Sequence, residues 1–77
     1  MQSEELRDLF RTNLRSRRRE LNLTQAQLAT SIGAAHSYVS DLERGRISPN
    51  ITSLAAIAEA LDTTPSAMLS SVAVPIS

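Results

Sequence analysis

The chain has no cysteine, no lysine and no tryptophan, only one histidine, and only two glycines among its 77 residues. Each shortage removes a class of function. Without cysteine there is no disulfide framework and no thiolate metal site. A lone His36 cannot supply the histidine pair that a His-based metal centre needs, so no metal is expected. Gly33 and Gly45 are too few to build a glycine-rich loop that cradles phosphates. No apolar run approaches the ~20 residues that span a bilayer, and the opening MQSEELRDLF lacks the basic-then-apolar pattern of a secretory leader. No membrane is expected, and the cytoplasm, at the nucleoid, is the expected location. What is present is a hydrophobic fraction of 42%. That suffices for a core and argues against a disordered chain. One domain is the most this length supports, and folding hides only about 60% of the surface that the unfolded chain exposes.

Charge is balanced in total and uneven along the chain. Eight arginines meet eight acids, for a net charge of zero. Residues 1–46 hold every arginine against Glu4, Glu5, Asp8, Glu20, Asp41 and Glu43, whereas residues 47–77 hold only Glu59 and Asp62. Between Arg11 and Arg19 lie five arginines and no acid. Bulk charge therefore does not announce a nucleic-acid binder, but it leaves room for a local basic face. For Arg11 and Arg19 the expectation is a solvated helix surface.

The punctuation predicts five short helices, an all-α bundle. Helix 1 is expected from Glu4 to Leu21, capped by Ser3, with Leu6, Phe10 and Leu14 spaced by four, Leu9 beside them and Leu21 one heptad on. Asn22 suits the left-handed residue that ends a helix. Thr24 and Gln27 form a capping-box pattern for helix 2, and Leu23 with Leu28 a hydrophobic staple. Leu28, Ala29 and Ile32 mark its buried side, and Gly33 stops it. Helix 3 begins near Ala35 or His36, with no side-chain cap, and turns Val39 and Leu42 inward until Gly45 ends it. Asn50 caps helix 4, where Leu54, Ile57, Ala58 and Leu61 follow i, i+3, i+4, i+7. Thr64 followed by Pro65 reads as a cap and a first helical residue, opening helix 5 through Ala67, Met68 and Leu69. The organisation is then a domain over residues 1–69, followed by a tail, 70–77, that is either a short extended arm or frayed.

The informative stretch is 25–44. A helix, a turn at Gly33 and a second helix follow one another, with small Ala29 where two steeply crossing helices must approach. Ile32, Val39 and Leu42 pin the second helix to the rest. This is the physical recipe for a helix-turn-helix. The second helix exposes His36, Ser37, Ser40, Asp41 and Arg44 along one side, and a helix of that width fits the DNA major groove.

The segments LTQAQLA, SYVSDLERG and PNITSLAAIAEAL, in this order and spacing, are similar to the phage-repressor-like (Cro/CI, Xre-type) helix-turn-helix domains. The resemblance covers about residues 6–69, and the short chain also resembles controller proteins of restriction–modification systems. It implies a lambda-repressor-like DNA-binding fold and roles by position. Gln25 matches a residue that binds a DNA phosphate, helped by backbone N–H groups at the helix start. His36, Ser37, Ser40 and Asp41 match positions that read base edges. Tyr38 matches a backbone contact, and Arg44, Arg46 and Asn50 match the loop that grips flanking phosphates. Arg18 and Glu43 match a pair that many relatives bury between helices 1 and 3.

Two departures stand out. Ala35 replaces the usual Ser or Thr before the recognition helix. His36 stands where relatives often carry Arg or Gln, and histidine is a poorer bidentate partner for a purine. Modest affinity, or greater reliance on shape and phosphates, is expected, with binding that weakens as pH rises above the histidine pKa. Asp41 has two open readings, acceptance from a cytosine amino group or repulsion of phosphate. Ser37, His36 and Asp41 do not form a catalytic triad, because neighbours on one helix lack its geometry. No enzyme, cofactor or small-molecule ligand is expected.

The function implied is a sequence-specific transcriptional regulator that binds double-stranded DNA. One domain touches too few base pairs for genomic specificity. A homodimer would read a roughly palindromic operator with half-sites about 34 Å apart. Its interface is expected at Pro65, Met68 and Leu69, with Val72 and Val74 as further candidates, although Met68 and Leu69 read equally as core residues. The protein's own concentration would then be the signal. The rival from another class is an antitoxin or adaptor that uses the same fold to bind a protein, which the net zero charge and Asp41 favour slightly.

Overall fold

A computed structural model describes residues 3–70. Five helices carry them: α1 (Ser3–Glu20), α2 (Gln25–Ile32), α3 (His36–Glu43), α4 (Ile51–Ala60) and α5 (Pro65–Met68). No strand occurs among the described residues. α1 packs on α3 and α5, α2 on α3 and α4, and α4 on α5.

α1 already includes Ser3, so Ser3 is a helical residue and not the cap that the sequence suggests. Glu4 and Glu5 still occupy the first turn, at the positive end of the dipole. The buried side of the helix is Phe10, Leu14 and Arg18, spaced by four. The apolar seam is shorter than its pattern predicts. Leu6 and Leu21 are 36% and 37% exposed, and Leu9 is half-buried. Leu21 falls in the turn beyond Glu20, where helical spacing no longer places it over the core. Asn22 follows with φ 58°, the left-handed conformation expected of it.

The caps explain where the remaining helices begin. Thr24 Oγ1 accepts the Gln27 N–H at 3.0 Å, and Gln27 Oε1 accepts the Thr24 N–H at 2.8 Å. This reciprocal pair satisfies two donors that a helix start would otherwise leave open. Asn50 Oδ1 accepts the Ser53 N–H at 2.7 Å to start α4, and Thr64 Oγ1 accepts the Ala67 N–H at 3.1 Å to start α5, with Pro65 in the first turn. α3 has no such help. Ala35 makes no side-chain bond there, which costs about 1 kcal/mol against Ser or Thr. Gly33 ends α2 at φ 70°, and a β-carbon there would meet nothing within 4 Å. Its requirement is the left-handed backbone itself.

Two polar clamps hold the C-terminal half, and neither is foreshadowed in the sequence pattern. Arg17 Nε donates to Leu61 O at 2.8 Å and Nη2 to Asp62 O at 3.2 Å. These carbonyls lie at the end of α4, where Asp62 adopts φ 55°. Asn13 Nδ2 donates to Met68 O at 2.8 Å and Ser70 O at 2.9 Å, tying α5 to α1. Met68 is only 1% exposed and belongs to the core with Phe10, Leu14, Leu28, Val39, Leu42, Ile57 and Leu61. This corrects the expectation of Met68 in a dimer interface: α5 turns its methionine inward against α1 and α4. Pro65 remains exposed and Leu69 half-buried, while Val72 and Val74 lie outside the described residues.

Inside this shell sits one ion pair. The Arg18 and Glu43 side chains are 10% and 4% exposed. Arg18 Nε and Nη2 both donate to the Glu43 carboxylate, the latter at 3.0 Å, and Nη1 donates to Leu23 O at 2.7 Å. One guanidinium thus joins α1, α3 and the turn before α2. Its bond to Glu43 raises the Arg18 pKa further, against burial that would lower it. Burial pushes the Glu43 carboxyl up. Hydrogen bonds from Arg18 and Gln25, with the charges of Arg18 and Arg15, outweigh that effect and hold it below its usual range.

Glu43→Ala leaves a desolvated guanidinium without its partner and is expected to destabilise by ~3–5 kcal/mol in urea unfolding. A loss under ~1 kcal/mol would mark the pair as no better than a surface bridge. Because the folded-state pKa of Glu43 is depressed, its stabilisation is present above the unfolded value of roughly 4.3. It is lost as pH falls through the folded value. The acid limb of the stability profile should therefore flatten in Glu43→Gln.

Candidate nucleic-acid interface

α3 is an eight-residue helix with two different sides. Val39, Leu42 and Glu43 are buried. His36, Ser37 and Arg44 are exposed, with Ser40 and Asp41 half-buried beside them. At 3.6 residues per turn, positions 36, 37, 40, 41 and 44 share one face, so anchoring Val39 and Leu42 in the core dictates what is presented outward. The structure thus brings the four expected base-reading residues together on one helix surface. Among the described residues the side chains of Ser37, Ser40 and Asp41 make no hydrogen bond or ion pair.

Gln25 occupies a position the sequence does not disclose. Its Nε2 donates to Glu43 Oε1 at 3.0 Å, and its Oε1 lies 3.1 Å from His36 Nε2. The amide therefore bridges the buried ion pair to the first residue of α3. Expected as a phosphate contact, its side chain is engaged in this bridge. The first-turn N–H groups of α2, beyond the one that Thr24 takes, remain as donors without a helical carbonyl partner.

The arginines divide into two groups. Arg7 reaches Ser48 Oγ and Gly45 O, Arg11 pairs with Asp8, Arg17 clamps α4 and Arg18 holds Glu43. Arg15, Arg19, Arg44 and Arg46 are exposed and make no hydrogen bond or ion pair among the described residues. Arg44 and Arg46 flank Gly45 directly after α3, where a loop phosphate contact is expected. Arg15 and Arg19, with Arg11, line an open groove between α1 and the end of α3 that reaches Glu43. Arg15 is a basic residue on this side that sequence reasoning does not single out. Its signal is the spacing 11, 15, 19, one residue on from the buried 10, 14, 18. Asn50 spends its carbonyl oxygen on the α4 cap, leaving its amide N–H groups to donate elsewhere. Tyr38 packs half-buried against the core, its hydroxyl making no hydrogen bond among the described residues. No group of three potential metal ligands occurs among the described residues, and no described helix is long and apolar enough to cross a membrane.

The helix-turn-helix family model HTH_3 matches residues 14–68. The chain is 42% identical over 52 residues to the immunity repressor protein of Bacillus phage phi105, a match that takes in 68% of this chain and 36% of that longer protein. It is 39% identical to the uncharacterized HTH-type transcriptional regulator y4dJ of Sinorhizobium fredii, with 74% of each chain covered. In three dimensions it is similar to the restriction-modification controller protein C.AhdI from Aeromonas hydrophila, at 30% identity and a TM-score of 0.76, covering 87% of this chain and 98% of that one. The homologues and the fold are those of helix-turn-helix transcriptional regulators. The chain belongs to the HTH_3 (Xre-type) helix-turn-helix family of DNA-binding transcriptional regulators.

Proposed function

We propose that the protein regulates transcription by binding a roughly palindromic operator as a homodimer in the cytoplasm, with α3 in the major groove. The observation that carries this reading is the outer face of α3. Four polar side chains stand there on a helix whose other side is locked in the core, and three of them have no partner of their own among the described residues. In this reading His36, Ser37, Ser40 and Asp41 meet base edges. Arg44, Arg46, Tyr38, Asn50 and the first-turn amides at Gln25 hold phosphates on either side. Arg15 and Arg19 supply further positive charge on the α1 side of Glu43. The zero net charge is no obstacle, because four arginines are exposed and make no hydrogen bond or ion pair among the described residues.

Specificity requires two copies. A single recognition helix touches too few base pairs, and two helices one DNA turn apart double the site. Pro65 and Leu69 remain accessible for the contact between copies. The repressor and controller names of the relatives support a repressor that senses its own concentration through dimerisation.

Titration against DNA from upstream of its own gene, with random DNA as competitor, tests the reading. Binding should survive competitor and fall steeply with salt, at a slope of about −0.9 per neutralised phosphate. Arg46→Ala should weaken all sequences alike and make that slope shallower by about 0.9 for each phosphate it leaves unneutralised. Loss of binding to both DNAs in equal measure would reduce the interaction to non-specific electrostatics, and absence of any DNA binding would turn the interface toward a protein partner. Leu69→Arg should raise the dimer dissociation constant at least tenfold in sedimentation equilibrium while leaving the helical circular-dichroism signal intact. An unchanged constant would move the dimer surface away from α5.

A further inference from the structure

The hydrogen bonds that run outward from the ion pair have a fixed direction. Glu43 is ionised and can only accept. The Gln25 atom that faces it at 3.0 Å must then be the amide nitrogen, which donates. The other end of the same amide is therefore its carbonyl oxygen, and this is the atom turned toward His36 Nε2 at 3.1 Å. A carbonyl oxygen also only accepts, so the facing ring nitrogen must carry a hydrogen. In a neutral imidazole one nitrogen donates and the other accepts.

We infer that Gln25 locks neutral His36 in the Nε2–H tautomer and thereby makes its Nδ1 an acceptor that selects a base carrying an exocyclic amino group. Nδ1 has no hydrogen-bond partner among the described residues, and the side chain is exposed. In the major groove the donors are the N6 amino group of adenine and the N4 amino group of cytosine, whereas guanine and thymine offer acceptors at the corresponding positions. Gln25 is here a positioning residue. It need not touch the base, because it decides which face of the imidazole the base meets. The buried charge of Glu43 thus sets base preference two hydrogen bonds away. The selectivity half of this inference rests on α3 reading the major groove; the tautomer half does not.

The chain's single histidine makes the test direct. Two-bond ¹H–¹⁵N correlation at pH 8, where ordinary histidines are neutral, reports both ring nitrogens of one residue without ambiguity. In the native protein Nε2 should show a full pyrrole-type shift and Nδ1 a full pyridine-type shift. In Gln25→Ala, which leaves the Arg18–Glu43 pair in place, the two shifts should move toward each other as the tautomers exchange. A native spectrum with Nδ1 protonated, or one identical to that of Gln25→Ala, overturns the lock without any DNA present. The second arm selects bound duplexes randomised across the half-site at pH 8. One position should favour adenine or cytosine about two- to tenfold, the worth of one hydrogen bond. That preference should vanish in His36→Ala and shrink in Gln25→Ala. A position whose preference disappears in His36→Ala but favours guanine or thymine in the native protein overturns the selectivity. Failure to bind any DNA specifically would instead refute the operator reading, with the spectrum still deciding the lock.

Discussion

The structure depends on the placement of one carboxylate. Glu43 is the last residue of α3 and is buried, and an unpaired charge there would cost several kcal/mol. It is tolerable because Arg18 arrives from α1 in a two-pronged geometry, with a further donor on Leu23 O, and Gln25 adds a third bond to the carboxylate. No buried side-chain polar atom among the described residues lacks a partner. The consequence is geometric. α3 has no side-chain cap at its start, so its orientation is set from its far end, by Glu43, and from its inner side, by Val39 and Leu42. A helix fixed at its C-terminus and along its base presents its N-terminal residues outward.

The same carboxylate ties stability to recognition. Its second acceptor site holds Gln25, and Gln25 holds His36. A helix-turn-helix packed by apolar contacts alone would leave the first residue of α3 free to rotate. Here a chain of directional bonds orders it before any DNA arrives, so less side-chain entropy remains to be lost on binding. The arrangement also explains how His36 can stand where Arg or Gln is usual in similar domains. Imidazole is the poorer bidentate partner, but an ordered imidazole of one tautomer offers a single well-defined acceptor.

Much of this is legible in the sequence, for reasons that can be named. The capping box at Thr24 and Gln27, the caps Asn50 and Thr64, and the left-handed Asn22 are local signals whose partners lie within four residues, so spacing reveals them. The buried faces of α2, α3 and α4 follow from 3.6-residue periodicity. The pairing of Arg18 with Glu43 spans 25 positions and is readable only through resemblance to a family. Contacts of that length without a family signal are silent. Nothing about Arg17 or Asn13 in isolation says that they close on carbonyls 44 to 57 residues away. Met68 is open to two readings in the sequence, core or partner contact, because a four-residue helix has no periodicity to choose its buried side. Likewise the run from Arg11 to Arg19 looks uniform in sequence. Helical geometry sorts it, sending 18 into the core, 17 to the end of α4, and 15 and 19 into solvent.

The absence of lysine acquires a physical meaning at this point. A chain of 77 residues buries too little apolar surface to rely on packing alone, and it closes its longest loops with side-chain forks. Arg18 bridges a carboxylate and a backbone carbonyl at once, and Arg17 reaches two successive carbonyls at the end of α4. A planar guanidinium with five fixed donors can do this with little entropy lost per bond, whereas an ammonium on a flexible stem cannot hold two divergent acceptors in a set geometry. In the proposed reading the exposed arginines face a related demand, because a phosphate offers paired oxygens that the guanidinium fork matches. Internal closure, and the phosphate contact proposed above, favour the same side chain.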